Sequence, residues 1–131
     1  MGYITNFKLE MYDGNGSLID ASHPAFPKLA TEFARIFNGE FFKEDELEDN
    51  IHLLNSIVEY SSDWKWYEHD ADMSKLAALF PDFKFSLEGE GEEKSDWWVH
   101  WWENGRLAGE SSAQLIEPDF PDWSENGLYF A

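Results

Sequence analysis

The run Asp96-Trp97-Trp98-Val99-His100-Trp101-Trp102-Glu103-Asn104-Gly105 decides the fold. Successive side chains of a strand point to opposite faces. Read as a strand, 96–102 sets Trp97, Val99 and Trp101 against Trp98, His100 and Trp102. Asn-Gly between two apolar runs is a hairpin signal, because both residues accept the positive φ of a type I′ turn. The chain is therefore expected to return as a strand over 106–116. Upstream, 83–88 alternates Phe83, Phe85 and Leu87 against Lys84, Ser86 and Glu88, which predicts the preceding strand. Gly89-Glu90-Gly91-Glu92-Glu93 reads as the loop between them.

Further out, the pattern changes from period two to helical spacing. Phe26, Leu29, Ala30, Phe33, Ile36 and Phe37 fall three or four apart and predict a helix over 24–38, opened by Pro24 and closed by Asn38-Gly39. Leu47, Ile51, Leu54 and Val58 predict a second helix over 44–59, with 57–60 open to an extended reading. A shorter helix over 73–80, capped by Asp70 or Asp72, buries Met73, Leu76, Ala77 and Phe80. Two more strands are expected: 3–12, followed by an Asp13-Gly14-Asn15-Gly16 turn, and 62–69, with Trp64 and Trp66 on one side. A short return over 17–20 is possible. The expected order is β-α-α-β-α-β-β-β. That is an α+β domain, an antiparallel sheet packed by helices, ferredoxin-like or a related two-layer sandwich. It is expected to span 1–116, followed by an acidic and aromatic tail over 117–131.

The chain has 131 residues, with 27 Asp and Glu against 9 Lys and Arg, a formal net charge of −18. Phosphate repels such a chain, so direct partners are not expected to be nucleic acid or an anionic membrane. With 18% aromatic residues it is not a disordered acidic chain. Cysteine is absent, which excludes disulfides, thiolate metal sites and a cysteine nucleophile. No apolar run is long enough to span a bilayer and no signal peptide is evident, so a cytoplasmic location is expected.

The charge is clustered. Segments 40–49, 68–72, 88–96 and 117–125 carry −5, −3, −4 and −4. Spread over the roughly 7,000 Å² surface of a monomer this size, −18 is about one charge per 400 Å². Duplex DNA carries about one per 100 Å². Imitation of DNA therefore requires these segments to meet on one side; scattered, they serve solubility.

No established catalytic or phosphate-binding motif is present. Asp13-x-Asn15-x-Ser17 and Asp70-x-Asp72-x-Ser74 begin like calcium loops. Their sixth residues are Leu18 and Lys75 where Gly belongs, and their twelfth are Pro24 and Pro81 where Glu belongs. His23, His52, His69 and His100 stand apart. His69-Asp70 becomes an acid–base pair only if a nucleophile faces it; an enzyme or metal-dependent regulator would need His69, Asp70, Asp72 and the Glu-rich loop to converge in one pocket. His100, between two Trp pairs, is read as packed. No catalytic residue, metal or cofactor is expected. Seven tryptophans exceed what one small core needs, so part of the set is expected on a contact surface.

Lys65-Trp66-Tyr67-Glu68-His69-Asp70-Ala71-Asp72-Met73, Phe80-Pro81-Asp82, Phe85, Gly89-Glu90-Gly91-Glu92-Glu93, Asp96-Trp97 and Asn104-Gly105 together form a pattern over the central third. It resembles a group of small acidic proteins of bacteriophages and mobile elements. At the level of fold it also resembles the ferredoxin-like domain of Api92-type phage and plasmid proteins. The resemblance implies a phage or mobile-element origin and a bacterial host cytoplasm, and supplies no catalytic residues. The expected function is a non-enzymatic inhibitor of a basic host protein that handles nucleic acid, such as a nuclease or effector complex. Alternatives are an immunity or antitoxin protein against a basic toxin, and a domain acidic only for solubility. The expected contact residues are Glu44, Asp45, Glu46, Glu48, Asp49, Glu90, Glu92, Glu93, Trp98 and Trp102. A monomer or homodimer is expected.

Overall fold

A computed structural model describes residues 3–93 and 95–113. The expected tail, and the end of the last expected strand at 114–116, lie outside the described residues. The elements run β1 (Thr5–Tyr12), α1 (Phe26–Asn38), a 3₁₀ turn (Gly39–Phe41), α2 (Leu47–Val58), β2 (Ser62–Trp64), α3 (His69–Leu79), β3 (Lys84–Glu90), β4 (Trp97–Glu103) and β5 (Arg106–Ala113). The five strands form one antiparallel sheet in the order β2-β1-β3-β4-β5. The chain is thus α+β, with an antiparallel sheet and three helices.

Alternation decides the faces. Phe7, Leu9 and Met11 of β1 and Phe85 and Leu87 of β3 are buried on one face. The stripe Phe26, Leu29, Ala30 and Phe33 of α1, with Leu54 and Ile57 of α2 and Met73, Leu76 and Ala77 of α3, joins them in one core. Burying side chains of this size contributes about 1.5–3 kcal/mol each. On the opposite face Glu10 lies across from Ser86, and Trp101 across from the same serine.

The register places Trp98, His100 and Trp102 on the helix-covered face, opposite Gly89, Leu87 and Phe85. Trp102 is fully buried and its indole N–H donates to Ser74 Oγ at 3.0 Å. This corrects the expectation that Trp102 faces a partner: it is core, while Trp98, on the same face, is only half-buried. Both sides of the strand are aromatic, so only the helices determine which side is covered.

At several places the structure differs from the sequence reading or decides between its alternatives. β3 continues through Gly89 and Glu90, expected as loop, because a Cβ at Gly89 would lie 2.2 Å from the Trp98 ring. The bare glycine lets that indole cross it. α3 begins at His69 rather than Met73, since Asp72 is not a cap: its carboxylate accepts the Trp66 indole N–H at 2.8 Å. α2 remains helical through Val58. β2 ends at Trp64, and 17–20 pairs only through the single bridge between Tyr12 and Leu18. The Asn104-Gly105 turn joins β4 to β5 with φ of 55° and 79°.

Candidate functional site at the acidic end of the sheet

The sheet has two ends. One holds the start of β1, the β3–β4 connection and Trp64 of β2, since Thr5 pairs with Trp64 and Glu90 pairs with both Asn6 and Trp97. Three of the four acid-rich segments reach this end. Segment 88–96 is the β3–β4 connection itself. Segment 68–72 opens α3, directly after Tyr67, whose hydroxyl accepts the Tyr3 backbone N–H at 2.8 Å. Segment 40–49 follows the last turn of α1, where Phe37 packs on Trp64 at 4.8 Å between ring centroids. The 3₁₀ turn then reverses the chain so that α2 packs along α1. The fourth segment, 117–125, lies outside the described residues.

Two carboxylates hold this end together. Asp96 accepts the Tyr3 hydroxyl at 2.6 Å, and Glu92 accepts the Ile4 backbone N–H at 2.7 Å. The Asp96 hydrogen bond pushes the Tyr3 hydroxyl above its usual pKa, because ionising it would place two negative charges in contact. On the outer sheet face, Glu88 accepts the Trp97 indole N–H at 2.6 Å.

The acids proposed as contact residues lack cationic partners among the described residues. Among the described residues, no Lys, Arg or His forms an ion pair with Glu44, Asp45, Glu46, Glu48, Asp49, Glu90, Glu92 or Glu93. Glu48 and Asp49 lie in the first turn of α2, where the helix dipole favours negative charge. All eight are exposed, as expected for contact residues. Large apolar side chains are exposed among them: Phe41 at 78%, Tyr67 at 61%, and Tyr3, Ile4 and Leu47 to lesser degrees. Sequence reading missed this set. Phe41 and Leu47 sit inside the acidic segment 40–49, and that mixture was the available signal.

The structure also brings together groups that were read apart. His69 Nδ1 and His100 Nδ1 both contact Asp70 Oδ1, at 2.9 and 2.8 Å. His100 Nε2 lies 3.7 Å from Glu110 on β5. Trp98 stacks on His69 at 4.6 Å and lies 4.5 Å from the His100 ring. Glu90, proposed as a companion of His69, projects from the opposite sheet face, and Asp72 is engaged by Trp66. The grouping with the Glu-rich loop therefore does not form. A cleft of about 490 Å³ lies elsewhere, along β1, lined by Lys8, Leu18, Asp20, Val58 and Glu59; it holds none of the expected contact residues.

Among the described residues, no helix is long and apolar enough to cross a membrane. Compared with known proteins, the chain matches no protein-family model, no curated protein and no solved structure.

Proposed function

We propose that the protein is a non-enzymatic binder whose acidic end occupies a basic, phosphate-handling surface on another protein. One observation carries this reading: three segments with a combined net charge of −12 share one end of the sheet with exposed Phe41, Tyr67, Tyr3, Ile4 and Leu47. Acidity for solubility alone gives no reason to leave aromatic rings exposed among the carboxylates. Twelve of the 18 net charges sit on 24 of the 131 residues, several-fold denser than the chain's average of about one per 400 Å² and toward the density of duplex DNA, which supports partial mimicry. Carboxylates steer the encounter with Lys and Arg, and the apolar side chains add desolvated contact.

In this reading the target is a nuclease or effector complex of a bacterial host, and the protein comes from a phage or mobile element acting in the host cytoplasm. The finer fold reading, ferredoxin-like, belongs with it. It is supported by β2-α3-β3, two strands on either side of β1 joined through a helix, the split β-α-β unit of such folds.

The test is affinity capture of host nucleases and effector complexes on the immobilised protein, eluted by increasing salt. The proposal predicts a retained partner that elutes as ionic strength rises. It also predicts that a variant with Glu44→Gln, Asp45→Asn, Glu46→Gln, Glu90→Gln and Glu93→Gln fails to retain it. Capture that is indifferent to both would sink the idea.

A further inference from the structure

We propose that His69, Asp70 and His100 form a binding site for one divalent transition-metal ion. This goes beyond the proposed docking role and shares only Asp70, of segment 68–72, with it. Three potential ligand atoms, His69 Nδ1, Asp70 Oδ1 and His100 Nδ1, lie within 4.8 Å of one another. A tetrahedral ion with bonds of about 2.0–2.1 Å to nitrogen and oxygen places its ligand atoms roughly 3.3 Å apart. The two pairs that share Asp70 Oδ1, at 2.9 and 2.8 Å, need to open by about half an ångström, and the two histidine ligand atoms, within 4.8 Å, need to close by up to about 1.5 Å.

The protonation geometry favours this use. His100 has a carboxylate at each ring nitrogen, Asp70 at Nδ1 and Glu110 at Nε2. A neutral imidazole carries one N–H, so one of its nitrogens then meets a carboxylate without a proton between them. Binding a cation through the bare Nδ1 resolves this. The proton stays on Nε2, on the side of Glu110, whose carboxylate at 3.7 Å is beyond hydrogen-bond reach and adds only nearby negative charge. His69 binds in the same way through Nδ1. No proton is lost from a neutral imidazole; it sits on Nε2 instead.

The frame is built from two elements, the first turn of α3 and the middle of β4, so ligand positions follow from core packing. The Trp98 ring backs both imidazoles. Among the described residues, no Lys or Arg forms an ion pair with Asp70 or Glu110. The Asp70 side chain is 41% exposed, which gives an ion a path from solvent and leaves room for water as a fourth ligand. Two imidazoles and one carboxylate suit zinc, copper, nickel, cobalt or ferrous ions, whereas calcium and magnesium prefer all-oxygen sites.

The experiment is calorimetric titration of the full chain with Zn²⁺ in excess Mg²⁺, paired with ¹⁵N NMR of the histidine rings. The expected result is one ion per chain with a dissociation constant of about 1 µM or below. His100→Gln and Asp70→Asn are each expected to weaken it by more than tenfold, and Glu110→Gln by only a few-fold, as an exposed neighbouring charge. The combination Glu90→Gln, Glu92→Gln and Glu93→Gln leaves it unchanged. In the unaltered chain, Zn²⁺ is expected to shift Nδ1 of His69 and His100, which does not depend on any variant folding. Absence of saturable one-to-one binding overturns the proposal. So do unmoved Nδ1 resonances, or an affinity set by the Glu-rich loop rather than by the histidines.

Discussion

The two ends of the sheet use their carboxylates differently. At the end where β1 closes, Asp13 spends both oxygens internally. Oδ1 accepts the backbone N–H groups of Asn15 and Ser17, each at 2.9 Å, and Oδ2 lies 2.9 Å from His23 Nε2. His23 Nδ1 in turn accepts the Ala25 N–H at the entrance of α1. Asp20 accepts from Ser22 through both backbone and hydroxyl. A two-residue turn at Asn104-Gly105 closes the same end. At the other end Glu92 and Asp96 tie the β3–β4 connection to the start of β1. Many neighbouring acids there have no cationic partner among the described residues. At one end Asp13 and Asp20 are fixed in structure, with Asp82 and Glu103 beside them in no ion pair among the described residues; the other end has more unpaired charge to offer.

The largest expected effect breaks this contrast directly. Neutralising Glu44, Asp45, Glu46, Glu90 and Glu93 to their amides is expected to weaken capture by a basic partner by two orders of magnitude or more, at roughly tenfold per lost close charge pair. Thermal stability should hold or rise, because like-charge repulsion is relieved. Neutralising Asp82 and Glu103 at the opposite end should change capture by less than about twofold. Equal losses from both ends would show that the ends do not differ.

Much of this contrast was legible in the sequence. Asn104-Gly105 specified the β4–β5 hairpin, and the stripe from Phe26 to Phe37 specified α1, because both signals are local. The clustering of acids was visible too, but their meeting at one end was not. It depends on Phe37 reaching Trp64 and on Tyr3 reaching Tyr67 and Asp96, contacts between residues far apart in the chain. The covered face of β4 was hidden because tryptophan lies on both faces. The meeting of His100 with Asp70, thirty positions apart, left no spacing signal. One of Asp70 and Asp72 is expected from sequence to cap the helix, because Asp commonly plays that part. Here indole and imidazole claim them instead.

A pair of glycine substitutions compares how each end is built. Gly105 has φ of 79°, a region that costs an L-residue about 1–2 kcal/mol, so Gly105→Ala should lower unfolding free energy by that amount in urea titrations. Gly91 has no such strain. A Cβ there would lie 2.1 Å from Asp96 Oδ2 and 2.3 Å from the Tyr3 hydroxyl, so Gly91→Ala must displace those side chains. The expected cost is about 1 kcal/mol, the worth of the hydrogen bond it disrupts. A larger loss at Gly91 than at Gly105 would show that the Tyr3–Asp96 tie holds its end more strongly than the Asn104-Gly105 turn holds the other.

Two smaller effects depend on pH. The His23 hydrogen bond, with help from the Ser17 N–H, holds the Asp13 carboxyl below its usual value of 3.8. Its ionised form therefore stabilises the fold fully above 3.8, and the contribution is lost as pH falls through the lower folded value. The stability gap between wild type and Asp13→Asn should shrink on acidification in that window, as followed by urea denaturation at stepped pH. Tyr3 has the opposite sign. Its folded pKa is raised above 10.0, so its contribution is full below 10.0 and fades as pH rises through the folded value. The gap between wild type and Tyr3→Phe should close on the alkaline side only.

The central claim is that one end of the sheet presents uncompensated charge as a binding surface. Titrating the ¹⁵N-labelled protein with a short oligolysine peptide, and mapping amide shifts at low and high salt, tests it most directly. The account predicts shifts concentrated in 40–49, 67–72 and 88–96, absent from 13–23 and 103–106, and abolished by salt. Shifts of equal size at both ends would contradict it.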